Sequence, residues 1–242
     1  PSSGAWLLPS EPQASLNTVA FYSVSAQHAG TKGMNMGRAI IYQVSRDIGA
    51  LNAGMKTFCT LSPVPGYLAW LRSPAGAAAL HCDLGDVSSV SVGTLRDALH
   101  SCGVAVPTPA CTTSELLHSM ASYLSRSPHA AQPSSDAERE LALRATAWCR
   151  AYLCSVDARS GAAVDKVAHF HLGNGAQLQR ILWGADASAQ GLAQSGGIMV
   201  NYVYSSSGMG EASVATLAER SKRYSAAPAD VVFAQQPLIV GV

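Results

Sequence analysis

Charge is scarce in this chain. Asp, Glu, Lys and Arg make up 13% of the 242 residues and nearly cancel, to a formal net charge of +1. Such a surface has no polyelectrolyte character, which argues against a nucleic-acid partner. Any bound anion must be held by local geometry instead. Long apolar runs are missing as well. Hydrophobic residues amount to 48%, yet no run approaches the ~20 residues that cross a bilayer. The six cysteines (Cys59, Cys82, Cys102, Cys111, Cys149 and Cys154) contain no C-x-x-C pair. In a chain long enough to bury a substantial core, they are expected to be reduced structural thiols. A G-x-S-x-G elbow is also lacking, so the serine-hydrolase reading fails.

What is present alternates strands and helices. After a Pro- and Ser-rich lead-in over 1–17, the β-branched and aromatic run from Thr18 to Ser25 predicts a strand. A loop with Gly30, Gly33 and Gly37 follows. Met36, Ile40, Ile41, Val44 and Ile48 then recur at helical spacing over about 35–51. Met55 to Leu61 predicts a second strand, broken by Ser62-Pro63-Val64-Pro65-Gly66 before a helix that starts at Tyr67. Strand, glycine loop, helix and strand form a βαβ unit, which joins parallel strands.

The Ala/Ser/Gly-rich stretches over 73–93 and 127–135 are expected to be the least structured. Thr112 with Glu115, and Ser135 with Glu138, have capping-box spacing, predicting helices over 113–126 and 136–154. From Asp165 the pattern predicts strands over 167–172 and 176–183 joined through Gly173-Asn174-Gly175 as a hairpin, then a strand over 197–205. A weak helix and irregular tail follow from Ser206. The class is mixed α/β, a central sheet with helices on its faces.

Several residues carry candidate chemistry. In Lys32-Gly33-Met34-Asn35-Met36-Gly37-Arg38, glycines at the mouth of a helix let backbone N–H groups approach an anion, and Lys32 and Arg38 add local positive charge. Taken alone, such a pattern is more often only a turn. Ser62 lies at a strand end before Pro63, ordinarily an unremarkable place for serine. His169 and His171, two apart on a predicted strand, would share a face, though no third metal ligand has convincing spacing. Tyr204 ends the β-favouring run Asn201-Tyr202-Val203-Tyr204.

Three segments together resemble the malonyl-CoA decarboxylase family: FYSVSAQHAGTKGMNMGRAII from Phe21, TLSPVPGYLAWL from Thr60, and VAHFHLGNGAQLQRILWGADASAQGLAQSGGIMVNYVY from Val167. The combination of L-S-P-x-P-G with F-H-L-x-N-G-A is the specific part. This resemblance implies a fold similar to the GCN5-related N-acetyltransferases, with a helical insertion at about 94–155. It implies an acyl-CoA-binding catalytic domain over 18–205 and a C-terminal helix and tail over 206–242.

The resemblance further implies that malonyl-CoA is decarboxylated to acetyl-CoA without a separate cofactor, CoA being part of the substrate. It places the CoA diphosphate and pantetheine on Lys32–Arg38, and Ser62 and His171 at the acyl end with Tyr204 in support. His169 matches no functional residue of the family. Asn201 and Asp186 match the family pattern and are expected to serve a surrounding hydrogen-bond network. A rate that depends on histidine is expected to titrate near neutrality. Homo-oligomerisation and a mitochondrial, peroxisomal or cytosolic location are compatible with the family.

The chain begins at Pro1, so its native start is expected upstream; its C-terminal Pro-Leu-Ile-Val-Gly-Val is no Ser-Lys-Leu-type peroxisomal address. Two other readings stay open at this stage: an acyl-CoA N-acyltransferase of the same fold, and a non-catalytic acyl-CoA-binding module.

Overall fold

The computed structural model describes residues 17–21, 36–83, 92–106, 112–126, 132–204 and 230–233. The expected βαβ unit opens it. Strand β1 (Thr18–Phe21) runs parallel to β2 (Thr57–Thr60), with helix α1 (Met36–Leu51) between them. Helix α1 buries Ile41 and Ser45 and half-buries Ile48. Ile40 and Val44, expected on the same inner face, are 48% and 36% exposed. The stripe is thus narrower than the apolar spacing implied. Ser45 tolerates its buried position because its hydroxyl donates to the Ile41 carbonyl at 2.7 Å.

Strand β3 (Ser62–Pro63) follows one residue after β2 and pairs with β5 (Met199–Tyr204). Helices α2 (Tyr67–Leu71), α3 (Pro74–Asp83), α4 (Val92–Ser101), α5 (Thr113–Arg126) and α6 (Asp136–Cys154) come next. The Ala-rich stretch after Ser73, expected to be poorly structured, is helical over α3. Alanine has the best helix propensity, and Ser73 caps that turn by accepting from the Gly76 N–H. Both capping boxes form. The Glu115 carboxylate accepts from the Thr112 N–H at 2.7 Å, and the Thr112 hydroxyl accepts from the Glu115 N–H at 3.3 Å. In the second, Ser135 caps Glu138, whose carboxylate reaches one residue further back, to Ser134.

Helix α7 (Lys166–Gly173) stands where a strand was expected, and this is the main correction to the sequence reading. Asp165 caps it, accepting from the Ala168 N–H at 2.7 Å. Ala168, His171 and Leu172 form its buried side. The Asn-Gly pair that signals a hairpin here ends the helix: Asn174 is the cap and Gly175 has φ +90°. A positive φ serves helix termination as well as a hairpin turn, so the dipeptide alone does not separate the two.

Strand β4 (Gln177–Trp183), helix α8 (Ala189–Ser195) and β5 complete this part, and β6 (Asp230–Phe233) pairs parallel with β4. That last strand corrects the expectation of an irregular tail. The sheet order is β1-β2-β5-β4-β6, with β3 beside β5, and it mixes parallel and antiparallel pairs. An irregularity between Leu178 and Arg180 lets Leu178 and Ile181 face the same core.

One main core joins the helices to the sheet face that carries Phe58, Val200, Tyr202 and Tyr204. Cys59, Cys102 and Cys149 are free thiols. Among the described residues, no helix is long and apolar enough to cross a membrane.

Candidate active site

Alternation along β2, β3 and β5 builds the site. Thr60 and Ser62 are two apart at the β2–β3 junction, and Tyr202 and Tyr204 are two apart on β5, so all four side chains lie on the core face. Helix α7 brings His171 against them. The His171 Nε2 lies 3.2 Å from the Ser62 Oγ, although 109 residues separate them in sequence. On the other side of the ring, Nδ1 is 2.8 Å from the Tyr204 hydroxyl. The Ser62 hydroxyl donates to the Thr60 Oγ1 at 2.9 Å, and that oxygen also accepts the Tyr202 N–H at 3.3 Å.

The imidazole is held by more than hydrogen bonds. The Tyr202 ring stacks on it with centroids 4.7 Å apart and planes 23° apart, and the Phe170 ring meets it edge-on at 5.0 Å. Asp165 anchors the start of the same helix, with the Tyr152 hydroxyl donating to its Oδ2 at 3.1 Å. Burial pushes the Asp165 carboxyl up, opposed by those donors.

Burial also sets the protonation states. Only 7% of His171 is exposed. Desolvation pushes its pKa down to about 4, so the ring is neutral at pH 7. Burial pushes the Tyr204 phenol upward, so it keeps its proton. A neutral imidazole has one donor and one acceptor nitrogen. The expected titration of His171 near neutrality is therefore displaced toward acid.

The correction at α7 bears on the histidine pair. Residues two apart on a helix point about 200° apart. His169 is exposed while His171 faces the core, so the pair cannot converge on one ion. Among the described residues, no group of three His, Cys, Asp or Glu is placed to hold a metal.

The other candidates are distributed as follows. Asn201 donates from Nδ2 to the Thr60 carbonyl at 2.7 Å, one residue from the Ser62 strand. Asp186 sits at the entry to α8, where Oδ1 accepts the Ser188 N–H and the carboxylate fills the space beside Gly191. Met36, Gly37 and Arg38 form the first turn of α1. Lys32, Gly33, Met34 and Asn35 lie outside the described residues. Thr60 and Tyr202 belong to the site but carry no motif. Their signal is the two-residue spacing from Ser62 and Tyr204.

A mixed sheet whose strands place the Ser62 and Tyr204 hydroxyls on either side of a buried, helix-borne imidazole defines an α/β protein with an internal chain of hydrogen-bonded polar groups. The chain belongs to the malonyl-CoA decarboxylase family: the profile described as malonyl-CoA decarboxylase C-terminal domain matches residues 8–227. It is similar to the mitochondrial malonyl-CoA decarboxylase of Anser anser anser, with 30% identity over 198 residues, 81% of this chain and 36% of that protein. The Mus musculus mitochondrial enzyme is 32% identical over 185 residues, covering 76% and 34% respectively. The chain thus spans about a third of the length of these relatives.

Among solved structures, malonyl-CoA decarboxylase from Cupriavidus metallidurans matches 90% of this chain and 47% of that one, with TM-score 0.59 and 28% identity. The Rhodopseudomonas palustris enzyme matches 89% and 43%, with TM-score 0.51 and 26% identity.

Proposed function

We propose that the protein is a carboxy-lyase that decarboxylates malonyl-CoA to acetyl-CoA, with Ser62, His171 and Tyr204 at the acyl end of the substrate. The observation that carries this reading is the Ser62–His171 contact within a chain of this family. In this reading the sheet is a GCN5-related N-acetyltransferase-like scaffold. Its support is the parallel β1–α1–β2 unit next to antiparallel β5.

Helix α1 ends at Leu51, shortly before β2 begins beside the start of β1, where the Lys56 and Thr57 N–H groups bond the Asn17 carbonyl. Its 16 residues rise about 24 Å. Its first turn, Met36-Gly37-Arg38, therefore points toward the end of the sheet that holds Thr60 and Ser62. The family resemblance puts the CoA diphosphate on Lys32, Gly33, Met34, Asn35, Met36, Gly37 and Arg38, the stretch that leads into this turn, and the thioester at Ser62.

The chemistry makes two demands. Loss of carbon dioxide leaves an enolate on the thioester, whose oxygen needs a donor, and C2 must then take up a proton. A positioned donor to a developing oxyanion contributes about 2.7–4 kcal/mol. A neutral imidazole N–H, or a hydroxyl polarised by one, is a donor of suitable strength for an enolate oxygen. The balance is malonyl-CoA plus one proton giving acetyl-CoA plus carbon dioxide, the proton coming from solvent. Ser62 and Thr60 are 4% and 2% exposed, so hydrogen bonds at this point act in a low dielectric.

Incubation with malonyl-CoA, with and without amine acceptors, tests the reading. Acetyl-CoA and carbon dioxide formed without acceptor support it. Turnover that requires an amine indicates an acyltransferase, and binding without turnover a non-catalytic module.

A further inference from the structure

Four polar groups lie in series: the Tyr204 hydroxyl, the two His171 nitrogens, the Ser62 hydroxyl and the Thr60 hydroxyl. Their proton order follows from acid–base strength. A phenol is a better donor than an imidazole N–H, and an imidazole nitrogen a better acceptor than a phenol oxygen. Tyr204 therefore donates to Nδ1. The neutral ring must then carry its proton on Nε2 and donate it to the Ser62 oxygen. The Ser62 proton is left to find another acceptor, and the Thr60 Oγ1 at 2.9 Å supplies it.

We infer that Thr60 is a positioning residue: as the terminal acceptor for the Ser62 proton, it holds His171 in the Nε2–H tautomer and directs the relay from Tyr204 toward Ser62. The inference rests on the decarboxylase reading only for its consequence in turnover. In this order Ser62 is a donor, with an oxygen already accepting from Nε2 and a proton made more available by that bond. Rotating the hydroxyl from Thr60 to a substrate oxygen turns the chain outward without moving a heavy atom. The reverse order would have Thr60 donate to Ser62 and Ser62 donate to Nε2. It would make Ser62 a nucleophile.

Thr60 is suited to the role by its own anchorage. The Tyr202 N–H occupies one side of its oxygen, and the Asn201 amide holds its carbonyl. Both partners come from β5, so Thr60 is fixed to the strand that also carries Tyr204.

The test is the imidazole nitrogen spectrum of protein labelled with nitrogen-15 histidine, assigned with a His171→Gln variant and taken at pH 7 without substrate. Wild type is expected to show the Nε2–H tautomer. Thr60→Val removes the acceptor at nearly constant shape, so the Ser62 proton turns to Nε2 and the spectrum shifts toward Nδ1–H. Thr60→Ser keeps the wild-type pattern. Thr60→Cys, a weak acceptor, gives a second route if the valine variant does not fold, and is expected to shift in the same direction.

In turnover, Thr60→Val is expected to lose about tenfold in kcat with KM changed less than about threefold, and Thr60→Ser to recover most of it. An Nδ1–H wild type, or a folded Thr60→Val or Thr60→Cys variant with an unmoved spectrum, overturns the inference. A responsive spectrum in a protein that does not decarboxylate malonyl-CoA sinks the functional reading alone.

Discussion

The side-chain amide of Asn201 donates to the main-chain carbonyl of Thr60 at 2.7 Å, where a backbone N–H would stand in a continuous ladder. On one side of this point β2 pairs Cys59 with Val203, and on the other β3 pairs Ser62 with Val200. Between them the ladder is interrupted. The Tyr202 N–H turns to the Thr60 hydroxyl instead of its carbonyl. Asn201 thus makes good the bond that the interruption would leave open, and the antiparallel register is the same on both sides of it.

Replacing Asn201 by Ala removes that donor and leaves the Thr60 carbonyl without it. The expected loss is about 1–3 kcal/mol, seen as a lower denaturant midpoint with unchanged m-value. Turnover should fall with it, because Thr60 and Ser62 share the disturbed segment. An Asn201→Ala protein as stable and active as wild type would show that water replaces the amide at no cost.

The two histidines of the H-x-H motif should separate cleanly. His171→Ala removes the centre of the relay and is expected to cost roughly 10²–10⁴-fold in kcat, the usual range for a general acid–base group. His169 is exposed on the other side of α7, so His169→Ala should stay within about twofold, as surface changes usually do. Steady-state rates on malonyl-CoA decide the matter, and equal losses would mean that the relay is not the reacting group.

Much of this arrangement is legible in the sequence where the signal is local. The α5 and α6 boundaries follow from Thr112–Glu115 and Ser135–Glu138, whose side chains act within one turn. The β1–α1–β2 unit follows from β-branched runs on either side of a helical period. Helix α7 does not, because Val167 to Leu172 alternates as a strand would. Its true period appears only when Ala168, His171 and Leu172 are known to face one core. The cap that starts it, Asp165 accepting from the Ala168 N–H, becomes visible only in the structure.

Strand β6 is four residues long, and its pairing with β4 is non-local. In the site, resemblance to the family is what singles out Ser62, His171 and Tyr204. Thr60 and Tyr202 needed only the period of two, applied outward from Ser62 and Tyr204.

The depressed pKa of His171 has a defined sign. The unfolded chain takes up a proton on this residue near pH 6.5, the folded protein only near 4, so between those values the unfolded state binds more protons. The stabilisation is complete above about pH 6.5 and is lost as pH falls toward 4. At 1.36 kcal/mol per unit, this group alone should make the protein about 3 kcal/mol less stable at pH 4 than at pH 7. Denaturant titrations at several pH values measure this, and His171→Gln should flatten that part of the curve. The same shift predicts a rate with no inflection between pH 6 and 7 from this residue and an acid limb well below. An inflection near neutrality that disappears in His171→Gln would contradict the burial argument.

Tyr202 offers the opposite experiment, a deletion that should cost nothing. Its ring is fully buried and stacks on His171, but its hydroxyl oxygen is buried with no hydrogen-bond partner among the described residues. A buried hydroxyl without a partner carries a desolvation cost of about 1–3 kcal/mol. Tyr202→Phe keeps the ring, the stack and the N–H that holds Thr60, and removes only that oxygen. The variant is expected to be at least as stable as wild type, with a thermal midpoint unchanged or higher and kcat within about twofold. Tyr202→Ala, which removes the stack and opens a cavity, should instead lose about 3–5 kcal/mol, in the range of large aromatic truncations. A large loss in Tyr202→Phe would mean that the hydroxyl bonds an internal water on the Asp165 side of the core.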